Sequence, residues 1–238
     1  MSSDVTFEIV FHEACKVGHV EGVSGFLEWS IMTPEILSKG LSRALERHKV
    51  DVVMVILNNT KFPRETYINE DHIYEACMFH YYTTPVEILK ILLPYGLHSI
   101  EMPICLGELI KKKHHEGINL FLENHVIPDA YCMFWACMSG DEELMDKISS
   151  LTTNVRLNDR DIFDDCDHCV FWQIFNGNDP YCIPNLKHMF VRMEVPMTMI
   201  VDGQEIARHY ENMDLDEIVD IVQDYAQNVY PYHRMWHL

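Results

Sequence analysis

An eight-residue pattern returns along this chain at intervals of 27 to 42 residues, and it constrains the fold more than anything else in the sequence. It reads VEGVSGFL from Val20, VDVVMVIL from Val50, VEILKILL from Val86, HEGINLFL from His115, EELMDKIS from Glu142, PNLKHMFV from Pro184 and LDEIVDIV from Leu215. The first position is usually apolar, the second or third often acidic, and the sixth to eighth mostly apolar. At helical spacing that is one buried face of a short helix. A short helix cannot bury such a face alone, so recurrence near a period of 30 predicts units that stack on one another.

A second pattern precedes the first. It reads FHEACKVGH from Phe11, LSRALERHK from Leu41, IYEACMFH from Ile73, FWACMSGD from Phe134 and FWQIFNGN from Phe171. Ala14-Cys15, Ala76-Cys77 and Ala136-Cys137 recur in register, with Ala44 in the same place. A small residue there lets a neighbouring helix approach closely. Gly18, Gly140 and Gly177 follow at the point where a helix end favours a left-handed residue. Each unit therefore reads as a short helix, a tight Gly or His turn, and a short antiparallel helix.

The segment FHEACKVGHVEGVSGFLE resembles the helix pair of an ankyrin repeat. His12 and Ala14 match the first-helix signature, Gly18 and His19 the turn, and Val23, Phe26 and Leu27 the second-helix core. The likeness extends over Phe7 to Val222. It implies an all-α solenoid of six to seven stacked antiparallel helix pairs, filling 1–238 as one domain. The units are expected at 7–40, 41–72, 73–104, 105–130, 131–165, 166–200 and 201–238, the last closing the stack as a C-terminal cap. No unit has the family's Thr-Pro-Leu-His opening or its Gly-rich hairpin finger, so the fingers are expected to be reduced or absent. Worn-down repeats of this kind look like those of large DNA viruses and effector proteins, and the expectation they suggest is a viral or host-directed antagonist that sequesters a cellular protein.

The connections are polar and irregular. Thr33-Pro34 has the form of a helix start, with Thr33 as N-cap and Pro34 in the first turn, and Thr84-Pro85 repeats it. Insertions fall at 81–84 and 179–183, and 154–167 is the expected hinge. Thirty-seven acidic against 18 basic residues give a net charge of −19. Such a surface repels phosphate backbones and anionic lipid, which argues against nucleic acid and membrane as partners and favours a protein with a basic surface. The basic run Lys111-Lys112-Lys113 reads as a helix C-terminal cap. No stretch has the apolar length of a membrane helix and no signal peptide is visible, so the chain is expected in the cytoplasm or nucleus. In that reducing setting Cys15, Cys77 and Cys137 are expected to be small buried core residues.

One constellation has metal-ligand character: Cys166, Cys169, Cys182 and His188. It supports an alternative reading as a zinc-binding module or small metal-dependent enzyme. The repeat register argues against it, because it places about one short helix, roughly 12 Å, between Cys169 and Cys182. There is no phosphate loop, GxSxG or HExxH. We therefore expect no cofactor, no catalytic residue and no enzyme activity. A solenoid without catalytic groups offers a long surface, and the resemblance implies that it binds another protein. The residues carried over are the outward faces of first helices: Glu13 and Lys16; Arg43 and Arg47; Glu75 and Met78; Trp135 and Met138; Trp172 and Gln173. The bland alternative for Trp135 and Trp172 is packing between units. The aromatic tail with Tyr230, Tyr232 and Trp236 reads as a cap or as a recognition segment.

Overall fold

The computed structural model describes residues 3–78, 83–152 and 182–193, together with 220 and 224. The described residues form helices and turns with no strand. No helix among them is long and apolar enough to cross a membrane. The chain divides into two compact units, Met1–Val126 and Ile127–Leu238.

Among the described residues the first unit contains eight α-helices: α1 (Ser3–Val17), α2 (Val20–Leu27), α3 (Pro34–Glu46), α4 (Val50–Leu57), α5 (Glu70–Met78), α6 (Val86–Gly96), α7 (Met102–Lys111) and α8 (His115–Glu123). They pack in consecutive pairs. The first helix of each pair also packs on the first helix of the next, in the order α1, α3, α5, α7, and the second helices follow as α2, α4, α6, α8. In the second unit α9 (Ala130–Ser139) packs on both α10 (Glu142–Leu151) and α11 (Cys182–Arg192). Arg192 reaches Asp146 across that packing at 2.7 Å.

The helix pairs share one register. Phe11, Leu41, Ile73 and Leu106 hold equivalent places and are fully buried. Ala14, Ala44 and Ala76 follow three residues later, then Cys15, Leu45 and Cys77, all buried except the half-buried Ala14. Gly40 shows why a small residue is needed on α3. A Cβ there would stand 2.5 Å from Phe11 Cε1 and 3.1 Å from Cys15 Sγ of α1. The turn residue is left-handed in four of the pairs, at Gly18 (φ 87°), His48 (52°), Lys113 (55°) and Gly140 (70°).

Helix starts follow local chemistry. Thr33 Oγ1 accepts from the Ile36 N–H at 3.3 Å, ahead of Pro34. Asp129 and Asp141 accept from the N–H three residues on, at 3.0 Å each. The expected cap at Thr84 is corrected. Pro85 is the N-cap of α6, and the Thr84 hydroxyl instead donates to the Ala76 carbonyl of α5 at 2.6 Å. The unit bounds expected at 40/41, 72/73, 104/105 and 130/131 fall inside α3, α5, α7 and α9, because the apolar motif begins after the helix caps.

The long second linker is pinned by cations to helix ends. Lys61 Nζ donates to the Leu27 and Trp29 carbonyls at 3.1 and 2.6 Å, and Arg64 Nε to the Leu57 carbonyl at 3.0 Å. Carbonyls at a helix C-terminus have no partner within the helix, so these bonds satisfy them. Lys112 acts in the same way across pairs: its Nζ donates to the Cys77 carbonyl near the end of α5.

Candidate functional site

Equivalent positions on successive first helices carry Glu13 (α1), Arg43 (α3), Glu75 (α5) and Glu108 (α7). Burial grades along this row. Glu13 and Arg43 are exposed, Glu75 is half-buried and Glu108 is buried, 3.5 Å from Lys111. Arg43 Nη1 pairs with Glu46 Oε2 at 2.9 Å, one turn along its own helix. Its charge is also stabilised, more weakly, by Glu13 and Glu75 on the two flanking helices. On the first three helices of the row Arg43 therefore stands between two carboxyl groups, those of Glu13 and Glu75.

Glu75 holds its proton more tightly than an ordinary carboxyl group. Burial pushes its pKa up from the ordinary 4.5 to about 7. The Ser42 hydroxyl bonds it and Arg43 attracts it, both lowering the value, while Glu46 and Asp71 repel its charge. Its Oε2 is buried with no hydrogen-bond partner. The folded chain holds this proton more tightly than the unfolded chain, so stability is greatest below the ordinary carboxylate range and is lost as pH rises through about 7. In full such a shift is worth about 3 kcal/mol, and solvent screening at this half-buried position cuts it to about 1 kcal/mol. Glu75→Gln is expected to melt above the wild type at pH 8 and with it at pH 5. Equal differences at the two pH values would remove Glu75 as the cause.

The other expected contact residues are placed as follows. Arg47 is exposed as the C-cap of α3, Lys16 pairs with Glu13 at 3.2 Å, and Met78 is half-buried at the end of α5. Trp135 and Met138 lie half-buried on α9 in the second unit, the Trp135 ring edge-on to Tyr131 and Phe134. Trp172, Gln173, Tyr230, Tyr232 and Trp236 lie outside the described residues. So do Cys166 and Cys169 of the metal-like constellation. Cys182 and His188 both fall on α11, where Cys182 opens the helix rather than lying in an insertion after one. Among the described residues no group of three or more His, Cys, Asp or Glu is placed to hold a metal.

Cys15, Cys77 and Cys137 are buried with free thiols. Burial pushes Cys15 and Cys137 up to about 12. Cys105 is raised as well, first by its hydrogen bond with the Cys77 thiol and then by burial. Thiols so held are poor nucleophiles, because the thiolate is the reactive form.

Three histidines, His12, His72 and His114, are joints between helix pairs. His12 Nε2 bonds the Ile36 carbonyl at 3.1 Å, and His114 Nε2 the Thr84 carbonyl at 2.8 Å, while His114 Nδ1 accepts from the Gly117 N–H. His72, which the motifs did not single out, bonds the Ser38 carbonyl through Nε2 at 3.1 Å and accepts from the Asn69 N–H through Nδ1. Its pKa is lowered, chiefly by burial. The sequence signal for it was only its place one residue before Ile73 in the repeat. No family model matches this chain, and no curated protein or solved structure matches it either.

Proposed function

We propose that this chain is a non-catalytic protein-interaction module with an ankyrin-like stack of helix pairs, whose partner docks on the row of first helices. The observation that carries the reading is the Glu13, Arg43, Glu75 alternation across α1, α3 and α5. Three packed helices hold these charges at fixed spacing, which is what a surface needs to select a partner by charge pattern. The partner would present a cation toward the exposed Glu13 and an acid toward Arg43. The net charge of −19 would steer a basic protein toward it. Pairwise stacking of first on first and second on second helices supports the ankyrin-like reading. Buried, unreactive thiols fit a reducing compartment such as the cytoplasm or nucleus.

The test is affinity capture from cell lysate with the wild type and with the double variant Arg43→Glu, Arg47→Glu. The variant should keep its fold, because an exposed ion pair such as Arg43–Glu46 is worth about 1 kcal/mol at most. Recovery of the partner should fall by about tenfold or more, through slower association. Unchanged recovery, together with its loss on changing Tyr230, Tyr232 and Trp236, would move the interface to the C-terminal tail and end this reading.

A further inference from the structure

Two buried thiols of the first unit stand in a relation that the helix register repeats. Cys105 lies one residue before Leu106 on α7, the place that Gly40 holds before Leu41 on α3. Cys77 follows Ile73 by four residues on α5, as Cys15 follows Phe11 on α1. α5 packs on α7 as α1 packs on α3, so Cys77 and Cys105 are placed as Cys15 and Gly40 are. In the earlier pair a Cβ at Gly40 would stand 3.1 Å from Cys15 Sγ. A disulfide sets each Cβ about 3 Å from the far sulfur. In the later pair both places carry sulfur, and the two thiols are hydrogen-bonded to each other. Their surroundings differ. The bond to Cys77 and burial keep the proton on Cys105, and Glu101 and Glu108 repel a charge there. Cys77 has an ammonium beside it, because Lys112 Nζ donates to the Cys77 carbonyl and its charge acts on both sulfurs. A cation beside a thiol favours the thiolate.

We propose that Cys77 and Cys105 are a redox latch, a dithiol that hydrogen peroxide closes into a disulfide joining α5 to α7. Cys77 is the sulfur that reacts first. Its thiolate attacks one peroxide oxygen, the O–O bond breaks and hydroxide leaves, so Cys77 is oxidised to the sulfenic acid. The Cys105 sulfur then attacks the Cys77 sulfur. The S–S bond forms, the S–O bond breaks, and the departing hydroxide takes the Cys105 proton and leaves as water. In sum, two thiols and one peroxide give one disulfide and two waters. At rest the pair is inert, because both sulfurs are shut from solvent. Cys77 lies one residue before the end of α5. Helix ends fray, so a small oxidant reaches Cys77 through local opening. In a reducing compartment such a disulfide is transient, a sensor rather than a staple. While closed, it holds α6 within a covalent loop and restricts the unfolded chain, so the oxidised form is the more stable one.

The latch is independent of any partner and is read on the pure full chain. Reduced wild type is treated with a small excess of hydrogen peroxide under native conditions, blocked with N-ethylmaleimide and digested for mass spectrometry. A Cys77 peptide joined to a Cys105 peptide should appear, lighter by two hydrogens than the free pair, and dithiothreitol should part them. The oxidised chain should melt roughly 5–10 °C above the reduced one. Cys105→Ser should trap Cys77 as the sulfenic acid, which dimedone labels. Cys77→Ser should leave Cys105 unlabelled and abolish the rise in melting temperature. The peptide link is measured in the wild type, so the answer does not depend on either variant folding. A wild type in which both thiols stay free, a link that forms only after unfolding in urea, or either sulfur joined to a different cysteine would each overturn the proposal. So would a rise in melting temperature that persists in Cys77→Ser.

Discussion

Leu57→Asp is expected to unfold the first unit, while Asn58→Asp, one residue later, is expected to leave its melting temperature nearly unchanged. Leu57 is fully buried at the last position of α4, and Asn58 is the exposed C-cap of the same helix. An aspartate at 57 would be a charge without a partner in the core and would leave a void where the isobutyl group was. Together these cost several kcal/mol, a large share of the stability of any small unit. At 58 the new charge meets solvent and only the unfavourable end of the helix dipole, worth about 0.5 kcal/mol. Thermal melting followed by circular dichroism measures both. Equal losses would mean that the inward face of α4 is assigned to the wrong residues.

The second large effect separates two glycines that the sequence treats alike. Gly40→Ala should destabilise and Gly25→Ala should stabilise, although both lie inside helices. At Gly40 the new methyl would stand 2.5 Å from the Phe11 ring. That ring is fully buried and held against Phe7 and Phe26, so it cannot swing aside. Either α1 and α3 move apart or the core distorts, at a cost of about 1–3 kcal/mol. At Gly25 nothing lies within 4 Å of a Cβ. There alanine gains helix propensity and restricts the unfolded chain, for about 0.5–1 kcal/mol of added stability. Urea denaturation of the two variants should give shifts of opposite sign. Shifts of the same sign would show that α1 and α3 do not approach at Gly40.

The local part of the fold was legible because its causes are local. Thr33 before Pro34, and Gly18, His48 and Gly140 between helices, mark caps and left-handed turns whose bonds close within a few residues. The buried Cys15, Cys77 and Cys137 were legible from their equivalent repeat positions. Thr84 was misread because its hydroxyl had two acceptable uses, and the carbonyl of Ala76 that won it lies eight residues back on another helix. Leu122 sits at the repeat position of Leu27, Leu57 and Leu93 but is only half-buried, and the core place in α8 goes to Phe121. One step of register is 100° of helix rotation, which a pattern of apolar letters does not resolve.

By itself the sequence determined that this chain is helical, that the helices come as short antiparallel pairs, and where most of them start and turn. Periodicity, caps and turn residues act over a few positions, so no distant contact was needed. Only the tertiary structure decided what happens between helices. It put Glu75 where burial holds its proton to about pH 7, and sent Lys112 across to the carbonyl of Cys77 on α5. It also divided the chain after Val126. These outcomes depend on which surfaces meet and how closely, and that distance is set by packing among residues about 30 positions apart.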